Sequence, residues 1–252
     1  MSFADMTNLS KDLRQKLGDT FTLPALTIDA TQYSSDGTIK SRFKTWDGHL
    51  VEGVLIPTKS RFTACVSSQI GCSLSCKFCA TGYIDRKRNL DFNEIYDQVV
   101  LINKQCETTH GKKLSNIVFM GMGEPFDNLD HVLKALEIIT SDYGPAWSPR
   151  RITVSTIGII PNMKTFLERS NCHLAISMNS PFEDERLKLM PVQKTYPIHN
   201  ILKELQNYDF SKQRRLSFEY IMFNGLNDTT RHAVEMVKLL KGLHCRVNLI
   251  RY

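Results

Sequence analysis

From Arg61 onward, short runs rich in β-branched and aromatic residues alternate with longer stretches whose apolar positions recur every three or four residues. The runs 62–67, 116–120, 151–156, 174–178, 216–222 and 246–250 read as strands, and the stretches 93–106, 129–140, 162–169, 199–205 and 230–240 read as helices. Asp91, followed three residues on by Glu94, gives the first of these helices a capping-box start. Six strands alternating with five helices predict an α/β fold with a parallel sheet, a partial six-stranded βα barrel. In such folds reactive groups gather on the loops that follow the strands.

The chain before Arg61 lacks that rhythm. Leu9, Leu13 and Leu17 are spaced four apart and predict a short amphipathic helix over 3–17. Asp36-Gly37 and Asp47-Gly48 are turn pairs that flank 38–45 and lead into 49–56, whose alternation predicts a small antiparallel meander. The expected organisation is an N-terminal accessory segment over 1–58, helix plus β appendage, joined to a core over 59–252. The final strand ends at Tyr252 with no helix after it, which predicts uncovered apolar surface beside it.

With 252 residues, 42% of them hydrophobic, the chain can bury a sizeable core. No stretch approaches the ~18 uninterrupted apolar residues of a membrane span, and no charged-then-apolar leader opens the chain. The expectation is a soluble cytoplasmic protein, monomeric and without a membrane partner. A net charge of +6 comes in small groups: Arg86-Lys87-Arg88, Lys112-Lys113, Arg150-Arg151, and Lys212 with Arg214-Arg215. Such a surplus suits a phosphate-rich partner, and equally each group suits a solvated face. Seven cysteines, three of them inside eight residues, do not make a secreted disulfide framework.

Those three, Cys72, Cys76 and Cys79, have C-x3-C-x2-C spacing and follow the first predicted core strand. One short loop can wrap three thiolates around a single inorganic cluster. A 4Fe-4S cubane takes four cysteines, so three leave one iron open to a small ligand. The alternative is a zinc site of three thiolates and a histidine. It lacks the usual second ligand pair, because no further CxxC or HxxxH follows and His110 and His131 lie on unrelated segments.

After the second core strand, Gly121-Met122-Gly123-Glu124-Pro125 combines glycines that admit a ligand close to the backbone with a carboxylate suited to an ammonium group. Otherwise it is a glycine-rich turn closed by proline. Ser155 ends the third strand, and Ser177, Met178 and Asn179 end the fourth; their polar groups suit a ribose or carboxylate, or ordinary strand-end turns. Asn248, polar within an apolar run, reads as facing a lined cavity or solvent. Phe78 shields a bound group or fills the core.

Several motifs recur together: Glu52; Arg61-Phe-Thr-Ala-Cys65-Val-Ser-Ser-Gln-Ile-Gly-Cys72; Cys76-Lys-Phe-Cys79-Ala-Thr-Gly82; Arg88-Asn-Leu90; Phe119-Met-Gly-Met-Gly-Glu-Pro125; and Arg151-Ile-Thr-Val-Ser-Thr156. In this order they resemble the RlmN/Cfr radical SAM RNA methyltransferases, over about Met6 to Tyr252. The resemblance implies a partial (β/α)6 radical SAM barrel that holds a 4Fe-4S cluster on Cys72, Cys76 and Cys79. It implies S-adenosyl-L-methionine (SAM) bound by Gly123, Glu124, Ser155, Ser177, Met178, Asn179 and Asn248.

The implied activity is methylation of an adenine in 23S rRNA, at C2 in RlmN-like members, some of which also act on tRNA, or at C8 in Cfr-like ones. An electron donor such as flavodoxin or ferredoxin is implied as partner. One SAM methylates a cysteine near the C-terminus of such enzymes, and a second yields a 5'-deoxyadenosyl radical that activates that methyl for addition to the base. A second cysteine then resolves the adduct by forming a disulfide. Cys65 matches that resolving cysteine and Glu52 the proton acceptor; Cys65 otherwise reads as an inert buried thiol. Cys106, Cys172 and Cys245 match no family role.

Asn179 stands where members commonly carry histidine, and Gln193 where they often carry asparagine. The methyl-carrying cysteine has no counterpart before Tyr252, so the expectation is a fragment shortened at both ends that binds cluster and SAM but transfers no methyl. Methylated adenine made by the 252 residues alone contradicts that expectation. Other readings are a radical SAM enzyme on a protein or small molecule, and an RNA-binding module or inactive fragment with a structural metal site.

Overall fold

The computed structural model describes every residue except Met1, Thr22, Pro24, Lys212 and Gln213. Lys212, one of the basic residues singled out above, therefore lies outside the described residues. The predicted strands appear as β4 (Phe62–Cys65), β7 (Asn116–Phe119), β8 (Ile152–Thr156), β9 (His173–Ser177), β10 (Leu216–Met222) and β11 (Cys245–Arg251), all parallel. Before them come β1 (Leu26–Tyr33), β2 (Ile39–Thr45) and β3 (Leu50–Pro57), which run antiparallel. Because β3 pairs with β4, meander and barrel form one nine-stranded sheet in the order β1-β2-β3-β4-β7-β8-β9-β10-β11. A separate two-residue ribbon, β5 (Gln69–Ile70) with β6 (Arg88–Asn89), brackets the cysteine loop.

The helices are α1 (Lys11–Thr20), α2 (Phe92–His110), α3 (Leu129–Thr140), α4 (Ile160–Arg169), α5 (Glu183–Leu189), α6 (Ile198–Leu205) and α7 (Thr230–Leu239). Helices α2 and α3 each bury one stripe: Ile95, Val99, Ile102 and Cys106 on α2, and Val132, Leu136 and Ile139 on α3, follow the helical period. Helix α2 starts at the expected cap, with the Asp91 amide donating to the Glu94 carboxylate at 2.9 Å. It ends at Gly111 in the left-handed conformation. Leu26, Ile39, Phe43, Val51 and Leu55 of the meander share one core cluster with Ile95 and Ile102 of α2. Among the described residues no helix is long and apolar enough to cross a membrane.

The single helix expected over 3–17 is not formed. A 3-10 turn over Phe3–Asp5 precedes α1, and Ser10 interrupts the pattern because its hydroxyl accepts from the Leu13 amide at 3.2 Å and caps α1 there. Beside the last strand, Leu249 and Ile250 are exposed, as expected of an uncovered edge.

Residues paired across the parallel strands point to the same face. On the inner face this gives a row of Cys65, Val118, Thr153 and His173, then Ser155, Ala175, Ser217 and Arg246, then Ser177, Glu219 and Asn248. Small and polar side chains so line the barrel interior, while the large apolar ones face the helices.

Candidate active site

At the carboxyl ends of the strands, a cleft of about 230 Å3 is lined by Cys72, Cys76 and Cys79 together with Gly123, Glu124, Ser155, Ser177, Asn179 and Glu219. The cysteine loop holds its shape through the Cys72 amide on Ile84 O (3.1 Å), the Gly82 amide on Cys79 O (2.9 Å) and the Lys77 amide on Leu189 O (2.9 Å). Gly71, at φ +76°, lies so close to the Asp85 carbonyl that a β-carbon would stand 2.2 Å from its oxygen. A glycine there is a steric requirement of the loop.

Cys76 packs with Ile157, Met190 and Val192, and Leu74, Phe78 and Cys79 close around them. This apolar wall makes Cys76 and Cys72 harder to ionise. Burial first, then the neighbouring Cys79 and Cys72, push Cys76 up to about 12; burial also raises Cys72. Among the described residues no three such groups are drawn together as ligands of one ion; the three thiols share a cleft instead. Free thiols in an apolar recess, with one open side facing Glu124, fit a cluster bound by three cysteines that leaves a position for a further ligand.

Glu124 is buried at the second strand end. Its carboxylate accepts from the Thr156 hydroxyl at 2.5 Å and from the amides of Phe126 and Ile157, both at 3.0 Å. Burial dominates these three contacts and pushes its pKa up to about 7. The backbone before it is placed by Gln69, whose Oε1 accepts from the Glu124 amide at 2.8 Å and whose Nε2 donates to Asn89 and Asp127. Gly123 takes φ +92° against Gln69, and Gly121 abuts Val66 and Ser67.

Arg186 stands behind the cleft, fully buried, donating to Gln193 and Tyr196 through Nη1 and to Ile157 O (3.0 Å) and Ser177 O (3.2 Å) through Nη2. It therefore ties the strand-end loops of β8 and β9 to the segment after α5. Asn179 takes a left-handed φ of 58°, a conformation asparagine tolerates, and accepts from the Ile221 amide at 3.0 Å.

Of the residues read from the sequence, the three cysteines, Gly123, Glu124, Ser155, Ser177 and Asn179 meet in this cleft. Met178 faces the apolar core instead. Asn248 does not line the cleft; on the edge strand its side chain is exposed and donates to Glu219 at 2.7 Å, and it is Glu219 that reaches the cleft wall. Cys65 lies deeper on the inner face, its thiol pushed up to about 11 by burial. Glu52 lies on the same face of β3 as Val54, the residue opposite Cys65, and pairs with Lys40 at 2.8 Å. That makes Glu52 a diagonal neighbour of Cys65, about 7–8 Å away by sheet geometry.

Residues 66–240 match the family described as the radical SAM superfamily. The chain is 51% identical over 248 residues to the probable dual-specificity RNA methyltransferase RlmN of Phocaeicola vulgatus, an alignment covering 98% of this chain and 69% of that protein. It is 47% identical to the protein of the same name from Christiangramia forsetii, covering 100% of this chain and 72% of the relative. The crystal structure of a radical SAM methyltransferase from Sphaerobacter thermophilus superposes with a TM-score of 0.93 at 39% identity, covering 99% of this chain and 73% of that one.

Proposed function

The chain belongs to the RlmN family of radical SAM methyltransferases, which use a 4Fe-4S cluster and SAM, and from that premise we propose that it forms the cluster- and SAM-binding barrel of an enzyme that methylates C2 of an adenine in 23S rRNA, with tRNA as a second substrate. The observation that carries this reading is the meeting of the cysteine trio with Glu124, Ser155 and Ser177 in one cleft at the strand ends. Cys72, Cys76 and Cys79 would hold the cluster, each releasing its proton on loading. A reduced cluster bound there supplies the single electron that cleaves SAM and begins radical chemistry.

The chain's own groups would bind and orient SAM around it. Glu124 would accept the SAM ammonium, a charge that offsets the desolvation of its carboxylate. Ser155 and Ser177 offer hydroxyls to the ribose or carboxylate, and the wall of Leu74, Phe78 and Ile157 keeps water from the reacting centre. We assign Cys65 the resolving-thiol role and Glu52 that of proton acceptor. Burial keeps Cys65 protonated until a base removes its proton, and Glu52 must leave Lys40 to do so. The electron donor would be a flavodoxin or ferredoxin.

Expression of the encoding gene in a bacterium lacking its own enzyme, followed by mass spectrometry of 23S rRNA nucleosides, tests the assignment. The expected product is 2-methyladenosine; 8-methyladenosine or unmodified adenosine refutes it. Oxygen-free protein should contain iron and sulfide and lose both when Cys76 is replaced by alanine.

A further inference from the structure

The barrel has a second mouth, at the amino ends of the strands. There Arg150, Arg214, Arg215 and Arg246 surround a cavity of about 420 Å3 with His173 and His244, and among the described residues no acidic side chain lines it. Arg150 precedes β8, Arg214 and Arg215 precede β10, and Arg246 lies at the start of β11. Ile250, four residues beyond Arg246, lines the cysteine cleft, so the two mouths stand about 13 Å apart along that strand.

The site is built. Buried His173 accepts the Arg215 amide on Nδ1 at 2.9 Å and bonds the backbone of Arg150, which pins the two arginine-bearing segments on either side of the cavity. Burial, then Arg215, holds His173 down to about 4, so the ring is neutral and the positive charge belongs to the arginines. Arg214 is anchored to Leu167 O at 2.8 Å while its buried Nε lacks an acceptor. Among the described residues none of the four guanidiniums is paired with a carboxylate. Arg215 is instead pressed by Arg246 and Arg61, and burial and that repulsion lower its pKa.

Like charges that converge on a cavity without a counter-charge are stabilised by an anion, and planar guanidinium forks match phosphate oxygens in pairs. We propose that this lower mouth binds a phosphate-class oxyanion across Arg150, Arg214, Arg215 and Arg246, supplied either by the backbone of bound RNA or by a free diphosphate. Only the RNA source rests on the function proposed above.

The test is calorimetric titration of the chain with inorganic pyrophosphate at matched ionic strength, for the wild type and for Arg215→Gln/Arg246→Gln. Saturable one-to-one binding, weakened about tenfold or more in the double variant, is expected from the loss of charge-assisted hydrogen bonds. Should that variant fail to fold, Arg150→Gln/Arg246→Gln replaces it, since His173 bonds only the Arg150 backbone. Anisotropy with a fluorescent RNA hairpin then assigns the source. If the variant also binds RNA more weakly, with a salt slope reduced by about 1–2, and pyrophosphate displaces RNA, the source is the RNA backbone. Unchanged RNA binding, or none in the wild type, makes the source a free diphosphate. Absence of wild-type pyrophosphate binding, or variants that bind it as the wild type does, overturns the proposal.

Discussion

Replacing Glu124 by glutamine should change how stability depends on pH. In the cluster-free protein the carboxyl titrates near 7 because it is buried, against about 4.5 when exposed. Between those values the folded state keeps a proton that the unfolded chain has released, so stability is full at low pH and is lost as pH rises toward 7. At 1.36 kcal/mol per unit, the loss between pH 5 and pH 8 is about 2–3 kcal/mol. Glutamine removes the titration but adds a constant cost. In the wild type Oε1 serves Phe126 and Thr156 and Oε2 serves Ile157. Whichever way an amide is turned, its NH2 meets one of those donors, at about 1–3 kcal/mol. The wild type should therefore be the more stable protein at pH 5, and its advantage should shrink or vanish by pH 8. Urea unfolding of reduced, iron-free protein at several pH values measures the difference. Parallel stability curves for the two proteins would refute the reasoning, since they would mean that Glu124 does not titrate differently in the fold.

Gly123→Ala sets a β-carbon 2.4 Å from that of Gln69 at a φ of +92°, so the turn must shift; a loss of at least about 2 kcal/mol is expected, read as a drop of about 4–8 °C in Tm. Arg88→Met removes the partner of Glu94, whose side chain is 1% exposed, and the partner of Asp47. It should cost about 3 kcal/mol in chemical denaturation, and adding Glu94→Gln should recover most of that. Arg186→Lys replaces a fork that spans Ile157 and Ser177 by a point charge. Iron content should hold while SAM affinity, measured by equilibrium dialysis, falls about tenfold.

The parallel part of the fold was legible because each core strand is an apolar run followed by a helix-period stretch, and its observed ends lie within a few residues of the sequence reading. β1 was missed: in Leu26–Tyr33 only Leu26 is buried, so the strand carries almost no alternating signal. α5 was missed because it is seven residues long and charged, and owes its place to Arg186, the one residue it buries. The cysteine loop and the Gly-Met-Gly-Glu turn could be read because their spacing is local. Glu219, Gln69 and Arg186 could not. Their importance arises only when distant strand ends converge, and nothing near an arginine in the sequence announces that it will be enclosed. Asn248 was recognised as unusual, but its place on the edge strand turns it toward Glu219 and solvent instead of into the cleft.

The continuity of the sheet from β1 to β11 makes the N-terminal strands a ruler. Helix α2 packs across the junction between β3 and β4, so no hinge separates the meander from the cysteine loop. At about 4.8 Å per strand, the outer edge at β1 is held about 15 Å from β4. A ligand that touches both that edge and the cleft must itself present features at that spacing, and no swing of the accessory strands can accommodate one that does not.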